Sequence, residues 1–341
     1  MNPLTPFGKL YGRVMDVRNL LYDRDVLKSY ELGARTISVG NLTTGGTGKT
    51  PLVALIAKMV IDEDETVCIL TRGYGRKNPK SRVLVSDGTN ILVDAETGGD
   101  EPVELAHRLN SKAVIVADPD RVRAARWARE KFPISAFILD DGFQHRRARR
   151  DLDIVCIDAT NPCGNGRILP AGTLRESFKS LKRANAIVIT RTEQVENTND
   201  LEARLKKSNA ATRLFKARTE LQGFITLDKF HAKTQSTQRE LQKKLFAFTG
   251  IGNSGNFFAS LRTAHEEIIG TELFPDHHRF TQAEISGLES KAKQAGAEAL
   301  VTTAKDVVKL KRFKFELPCY VAIAEMVIDN IDAFKKLVTS S

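Results

Sequence analysis

The sequence predicts an α/β protein with a mostly parallel sheet covered by helices on both faces, followed by a smaller second α/β lobe joined through a β linker. Three observations predict it. Short apolar runs such as Val-Cys-Ile-Leu-Thr at 67–71 and Ala-Ile-Val-Ile-Thr at 186–190 alternate with stretches of helical spacing. These runs are apolar throughout instead of alternating, as in parallel strands buried on both faces. The rhythm then breaks near residue 210 and resumes near 245, and 341 residues are enough for about two domains.

Taken in order, Phe7, Leu10, Val14, Val17 and Leu21 recur near helical spacing with Lys9, Arg13, Arg18 and Arg24 between them. Such a helix suits an anionic membrane surface, and the same pattern suits a helix docked on its own domain. Strands follow at 36–40, 67–71, 113–117, 136–141, 154–158 and 186–190. Runs 82–85 and 91–93 flank Ser86-Asp87-Gly88-Thr89-Asn90 and predict a hairpin inserted at the sheet edge. Extended segments at 212–217 and 223–227 and a polar surface connection at 233–244 make residues 212–244 a linker between lobes 1–211 and 245–341. The second lobe has strands at 245–249, 299–303 and 319–322 and helices at 254–264, 282–294 and 328–338, the last free to pack back on the first lobe.

Composition narrows the function classes. The chain is 41% apolar and 28% charged, with no uninterrupted apolar stretch approaching the roughly 18 residues of a membrane span. The N-terminus has no basic-apolar-small signal layout, so the protein is expected to stay in the cytoplasm. Cys68, Cys156, Cys163 and Cys319 lack paired or zinc-ligand spacing, which fits a reducing compartment. A net charge of +10 favours anionic partners such as nucleotide or phospholipid headgroups. No helix-turn-helix or zinc-finger pattern is present and aromatics are few, so nucleic acid is not expected as a partner.

The most specific motif is Gly40-Asn41-Leu42-Thr43-Thr44-Gly45-Gly46-Thr47-Gly48-Lys49-Thr50, lying between an apolar strand and a helical run. Strand, glycine-rich turn, Lys-Thr and helix are the context of a phosphate-binding P-loop, and the first lobe is therefore expected to be P-loop NTPase-like. Residues 43–50 would present backbone N–H groups to the phosphates of ATP, Lys49 would add positive charge at the β and γ phosphates, and Thr50 would ligate Mg2+. Thr43 stands where the usual motif has glycine.

Ala136-Phe137-Ile138-Leu139 ends in Asp140-Asp141-Gly142, placing two carboxylates at the carboxyl end of a buried strand, where parallel sheets display ligands. This predicts a Walker-B magnesium site, with successive side chains on opposite faces. Asp100, in Gly98-Gly99-Asp100-Glu101-Pro102, either caps a helix or serves as the base for a hydroxyl acceptor.

The motifs GNLTTGGTGKTP at 40–51, TRGYGR at 71–76, GGDEP at 98–102 and DDGFQHRRARRDLDI at 140–154 carry a family resemblance. LPAGTLRES at 169–177, FTGIGN at 248–253 and FPDHHRF at 274–280 continue it over about four-fifths of the chain. Together they resemble the tetraacyldisaccharide 4'-kinase (lipid A 4'-kinase) family. The resemblance implies transfer of the ATP γ-phosphate to the 4'-hydroxyl of a tetraacylated glucosamine-disaccharide 1-phosphate lipid. It also implies two lobes and an N-terminal helix touching the cytoplasmic face of the inner membrane. Carried over by local motif, Lys49 and Thr50 hold phosphate and metal, Asp140 and Asp141 form the Walker-B pair, Asp100 is the base and His277 pairs with it when the cleft closes. Arg72, Tyr74, Arg121, Gln144, Arg175 and Glu176 match positions that contact substrate, nucleotide or phosphate, and the basic run 145–150 is a further candidate for anionic headgroups. Thr173 and Ala304 depart from the family pattern, the latter leaving Lys305 and Asp306 without an assigned role.

Two rivals share parts of this pattern. A GTPase switch shares the P-loop, but NKxD is absent and the strand ends Asp-Asp-Gly. Gly250-Ile251-Gly252-Asn253-Ser254-Gly255 matches a dinucleotide fingerprint, with Glu272 near the position of the ribose acid but no acid sharply closing a second strand, and it also fits a tight strand-to-helix turn.

Overall fold

The computed structural model describes residues 3–231, 241–252, 254–264 and 267–340. Most of the expected surface connection at 233–244, and Asn253, lie outside them. Helix α1 (Thr5–Asp23), strand β1 (Arg35–Asn41), α2 (Lys49–Ile61) and β2 (Val67–Thr71) open the chain. β3 (Val83–Asp87), α3 (Ala95–Gly98), α4 (Asp100–Arg108), β4 (Val114–Ala117), α5 (Arg121–Lys131) and β5 (Ala136–Asp140) follow. Next come β6 (Leu152–Asp158), β7 (Ala186–Thr190), α6 (Asn199–Ser208), β8 (Arg213–Thr226) and α7 (Leu227–His231). β9 (Leu245–Thr249), α8 (Ser254–Ala264), β10 (Ile268–Leu273), α9 (Gln282–Gln294), β11 (Ala299–Thr303), α10 (Ala304–Val307), β12 (Cys319–Ile328) and α11 (Ile331–Thr339) complete it.

The chain forms two compact units, and they are not the simple halves expected from the sequence. The first comprises Met1–Arg72, Ala113–Thr219 and Met326–Ser341; the second comprises Gly73–Lys112 and Glu220–Glu325. Residues 73–112, expected in the first lobe, thus belong to the second unit. The two expected extended segments around 212–227 are one 14-residue strand, β8, within which the chain passes between units. The expected hairpin at 82–93 is reduced to β3 and a single antiparallel bridge, Ser86 to Ile91.

In the first unit the strand order is β8-β7-β6-β1-β5-β2-β4, every neighbouring pair parallel. β2, β4, β5, β6 and β7 are buried at every position, which is why they read as unbroken apolar runs. One face packs Leu42, Phe143, Val155, Ile157 and Ile187 against Leu181, Leu201 and Leu205. α2 packs with β1, β5 and the terminal helix α11. Because β1 lies between β5 and β6, the loops after these strands open at the same end of the sheet, where ligands of parallel sheets bind.

α1 docks on the first unit by an unexpected face. Gly8, Gly12, Met15 and Asn19 are buried, while Phe7, Leu10, Val14 and Val17 are each more than half exposed. The glycines permit the approach: a Cβ at Gly8 would lie 2.8 Å from the Ile168 carbonyl oxygen, and one at Gly12 2.9 Å from Ile168 Cδ1.

The second unit contains a parallel sheet in the order β10-β9-β11-β12. α9 covers one face through Ile285, Leu288 and Ala292, and Leu261 of α8 packs with Phe224, Ala247 and Tyr320 on the other. β10 escapes the sequence reading because its residues alternate between half-buried and exposed, with Gly270 inside the strand. Glu272 on this strand is bonded to Lys291 at 2.7 Å.

Candidate active site

The first unit gathers Lys49, Asp141, Arg175 and Gln144 at the ends of β1 and β5. After β1 the loop is held from several sides: Thr44 N–H donates to Thr173 O, Arg175 N–H to Leu42 O, and Asn41 Nδ2 to Thr47 Oγ1. Two of its glycines are needed for backbone reasons, with φ of 110° at Gly45 and 82° at Gly48. A Cβ at Gly45 or Gly46 would meet nothing within 4 Å, so both face open space where an anion can approach. Thr43 is buried and bridges antiparallel to Leu174, so glycine is not required there. Gly48 precedes Lys49, the first residue of α2, and Lys49 and Thr50 therefore stand at a helix N-terminus whose unpaired N–H groups attract negative charge.

The other side of the site is the turn after β5. Asp141 adopts a left-handed conformation, φ 53°, and Gly142 N–H donates to Val39 O, stitching the turn to β1. Gly40 makes room for it, since a Cβ there would lie 2.5 Å from Phe143 Cβ. Asp141 Oδ1 faces Lys49 Nζ at 3.5 Å, and Arg175 donates to its Oδ2 at 2.7 Å. Burial raises its carboxyl pKa, but Lys49 and Arg175 outweigh burial and hold it below the ordinary value. Asp140 is the opposite case: it accepts from Thr71 Oγ1 at 2.9 Å, and burial, with the Asp141 charge beside it, raises its pKa.

Several candidates prove to be braces. Arg121 is buried and donates to the carbonyls of Asp118, Pro119 and Asp140, fixing the end of β5. Glu176 is 1% exposed and accepts from Asn19 Nδ2 at 2.9 Å and Arg183 at 3.0 Å. Gln144 donates to Asn41 O and its carbonyl accepts from Arg18 of α1. The basic run, a candidate for headgroups or equally a solvated basic face, has four of its arginines in ion pairs within the protein: Arg146 with Asp23, Arg147 with Asp120, Arg149 with Glu31 and Arg150 with Asp153. Arg72 is exposed. Arg191 was missed by sequence reasoning, although a cation directly after strand β7 is a detectable signal. It is paired with Asp158 and donates to Gly46 O at 2.5 Å, pinning the glycine-rich loop.

The second unit holds Asp100, His277 and Tyr74. Gly99, φ 95°, supplies a backbone conformation that favours glycine and lies close to Tyr74 O and Gly73. Asp100 is the first helical residue of α4 and Gly99 occupies the N-cap position, so Asp100 is not the cap residue. Its Oδ2 lies 3.0 Å from His277 Nδ1. Both residues belong to one unit, so their pairing needs no lobe closure. Tyr74, two-thirds exposed, has its ring centred 5.5 Å from the imidazole. The unassigned residues after β11 converge here too: Lys309 lies 3.8 Å from Asp100, and Lys305 lies 3.4 Å from His277 Nε2. Asp306, fully buried, accepts from Thr249 Oγ1, Gly250 N–H and Thr303 Oγ1.

Comparison with known proteins follows this geometry. The family model for tetraacyldisaccharide-1-P 4'-kinase (LpxK) matches residues 2–341. Tetraacyldisaccharide 4'-kinase of Desulfotalea psychrophila is 38% identical over 320 residues, covering 93% of this chain and 90% of its own. The same-named protein of Syntrophus aciditrophicus is 38% identical over 349 residues, covering 98% and 91%. A crystal structure of LpxK from Aquifex aeolicus in complex with ATP superposes with a TM-score of 0.80 at 33% identity, covering 98% of this chain and 97% of that one.

Arg191→Met removes one charged hydrogen bond from the loop, worth roughly 1.5–3 kcal/mol. Nucleotide affinity measured by calorimetry is expected to fall about ten-fold or more. An unchanged affinity would show that the loop holds its shape without this contact.

Proposed function

The chain belongs to the tetraacyldisaccharide 4'-kinase family, and on that premise we propose that it transfers the γ-phosphate of ATP to the 4'-hydroxyl of a tetraacylated glucosamine-disaccharide 1-phosphate. The observation that carries this reading is the Lys49–Asp141 pair at the mouth of the glycine-rich loop, 3.5 Å apart. The ATP bound by the Aquifex aeolicus relative supports ATP as the nucleotide.

Lys49, the α2 N-terminus and loop 43–48 bind the β and γ phosphates and neutralise charge that develops during transfer. Thr50, Asp140 and Asp141 would hold Mg2+. They fit: Asp141 Oδ1 has no hydrogen-bond partner among the described residues. Those residues contain no cluster of three or more His, Cys, Asp or Glu able to hold a metal. Bound there, Mg2+ would supply charge neutralisation to the phosphates.

Asp100 takes the proton of the 4'-hydroxyl as its oxygen bonds to the γ-phosphorus; the bond to the β–γ bridging oxygen breaks and ADP leaves with that electron pair. His277 orients the carboxylate through the 3.0 Å contact. Arg72 and Tyr74, both exposed, remain candidates for substrate contact, whereas Arg121 and Glu176 act by holding the turn and α1 in place.

The acceptor is a lipid, and α1 presents its apolar residues outward. We assign this face, with Lys9 and Arg13 beside it, to peripheral contact with the cytoplasmic face of the inner membrane. Among the described residues no helix is long and apolar enough to cross a membrane.

In an assay with ATP and the tetraacyldisaccharide 1-phosphate, the wild type is expected to form the 4'-phosphate. Asp100→Asn, which preserves side-chain size, should slow single-turnover transfer by roughly 10²–10⁴-fold with ATP affinity retained. Wild-type single-turnover rates in this variant would reject Asp100 as the base, and ATP binding without any transfer by the wild type would reject the acceptor. For α1, the triple replacement of Phe7, Leu10 and Val14 by Ser should lower binding to anionic vesicles at least ten-fold without changing ATP affinity. Equal vesicle binding would sink the membrane assignment.

A further inference from the structure

We propose that Lys305 is a positioning residue that fixes the tautomer of His277, keeping the proton on Nδ1 so that the imidazole donates to Asp100 and orients it. In a neutral imidazole one nitrogen donates and the other accepts. His277 Nδ1 lies 3.0 Å from Asp100 Oδ2, and Nε2 lies 3.4 Å from Lys305 Nζ. An ammonium has donors and no lone pair, so Nε2 facing it is the acceptor and Nδ1–H donates to Asp100. The carboxylate then accepts a hydrogen bond from the imidazole and has a nearby cation, Lys309 at 3.8 Å.

The chain builds this arrangement with care for Lys305. Its ammonium is anchored by Asp276 at 3.1 Å and Glu101 at 3.9 Å. Burial alone would lower its pKa, but Glu101, Asp276 and Glu104 outweigh burial and keep it charged. The fully buried Asp306 next to it brackets the ends of β9 and β11 through Thr249, Gly250 and Thr303. Gly250 O in turn accepts from His277 N–H, so one buried carboxylate sets both the Lys305 backbone and the His277 loop.

Without Lys305, the groups around the imidazole are Asp100, Asp276 (Oδ2 at 3.8 Å from Nε2), Glu101, Lys309 and the Tyr74 ring. With the ammonium gone, Nε2 faces the Asp276 carboxylate, which favours N–H over a lone pair at that nitrogen. A neutral imidazole with its proton on Nε2 no longer donates to Asp100.

The catalytic consequence rests on the reading of Asp100 as the base; the tautomer does not. Nitrogen-15 NMR of the full chain labelled at histidine, with His277→Gln to assign the signal, should show the neutral Nδ1–H form at pH 8. Lys305→Met should shift the neutral His277 population toward the Nε2–H form and lower kcat about ten-fold with KM for ATP unchanged, and Lys305→Arg should restore both. A wild-type Nε2–H form or imidazolium at pH 8 would overturn the proposal even if Lys305→Met folds poorly. So would a His277 tautomer indifferent to Lys305→Met. The two readings fail separately: wild-type turnover in Asp100→Asn rejects the base, whereas a histidine signal insensitive to residue 305 rejects only the role of Lys305.

Discussion

Opposite charges at the ends of two adjacent parallel strands are the contact on which the first unit's chemistry depends. β1 and β5 pair Val39 with Asp140, and one residue beyond that register the chain turns sharply enough to bring Asp141 to 3.5 Å from Lys49. The turn can lie this close only because Gly40 has no side chain and Gly142 N–H donates to Val39 O. An ammonium at the N-terminus of α2, where backbone N–H groups already concentrate positive potential, is left in a field that Asp141 balances. Incoming phosphates find Lys49 held by a carboxylate that has other work to do. Preorganised charge of this kind stabilises a transfer without reorganisation at the moment of reaction.

Around this pair the protein uses buried polar contacts as struts. Glu176 is locked between Asn19 and Arg183, and Gln144 links Asn41 to Arg18, so α1 is fastened to the same turn that carries Asp141. A helix with an exposed apolar face is thus bonded to residues beside the phosphate loop. In the second unit Asp306 plays the comparable part for Asp100 and His277. Both oxygens of the buried Asp306 are hydrogen-bonded, and a buried carboxylate so satisfied rigidifies a site.

What could be read from the sequence was whatever leaves a local trace. β2 and β7 are buried on every side and show as apolar runs, and the phosphate loop is compact in sequence as well as in space. Features set by partners far along the chain left none. Asp100 and His277 are 177 residues apart, and the partners of Arg146, Arg147 and Arg149 lie in α1, in the turn before α5 and at Glu31, so the basic run reads as a free patch when it is a set of pairs. The docking face of α1 was hidden for a different reason: periodicity reports large apolar residues, and here the buried stripe is Gly8, Gly12, Met15 and Asn19. The resemblance to a known family supplied the link between Asp100 and His277, while the residues that hold the pair in place, Lys305, Asp306 and Lys309, emerged only from the packing after β11.

The role proposed for Asp141, which faces Lys49 at 3.5 Å, is to help hold Mg2+ once nucleotide occupies the loop. It is tested most directly by ATP dissociation constants measured with Mg2+ and with a chelator, in the wild type and in Asp141→Asn. The wild type should bind ATP more tightly with Mg2+, and Asp141→Asn should lose most of that preference while binding metal-free ATP at least as well, its Lys49 having lost a competing carboxylate. A Mg2+ preference in Asp141→Asn equal to that of the wild type would contradict it.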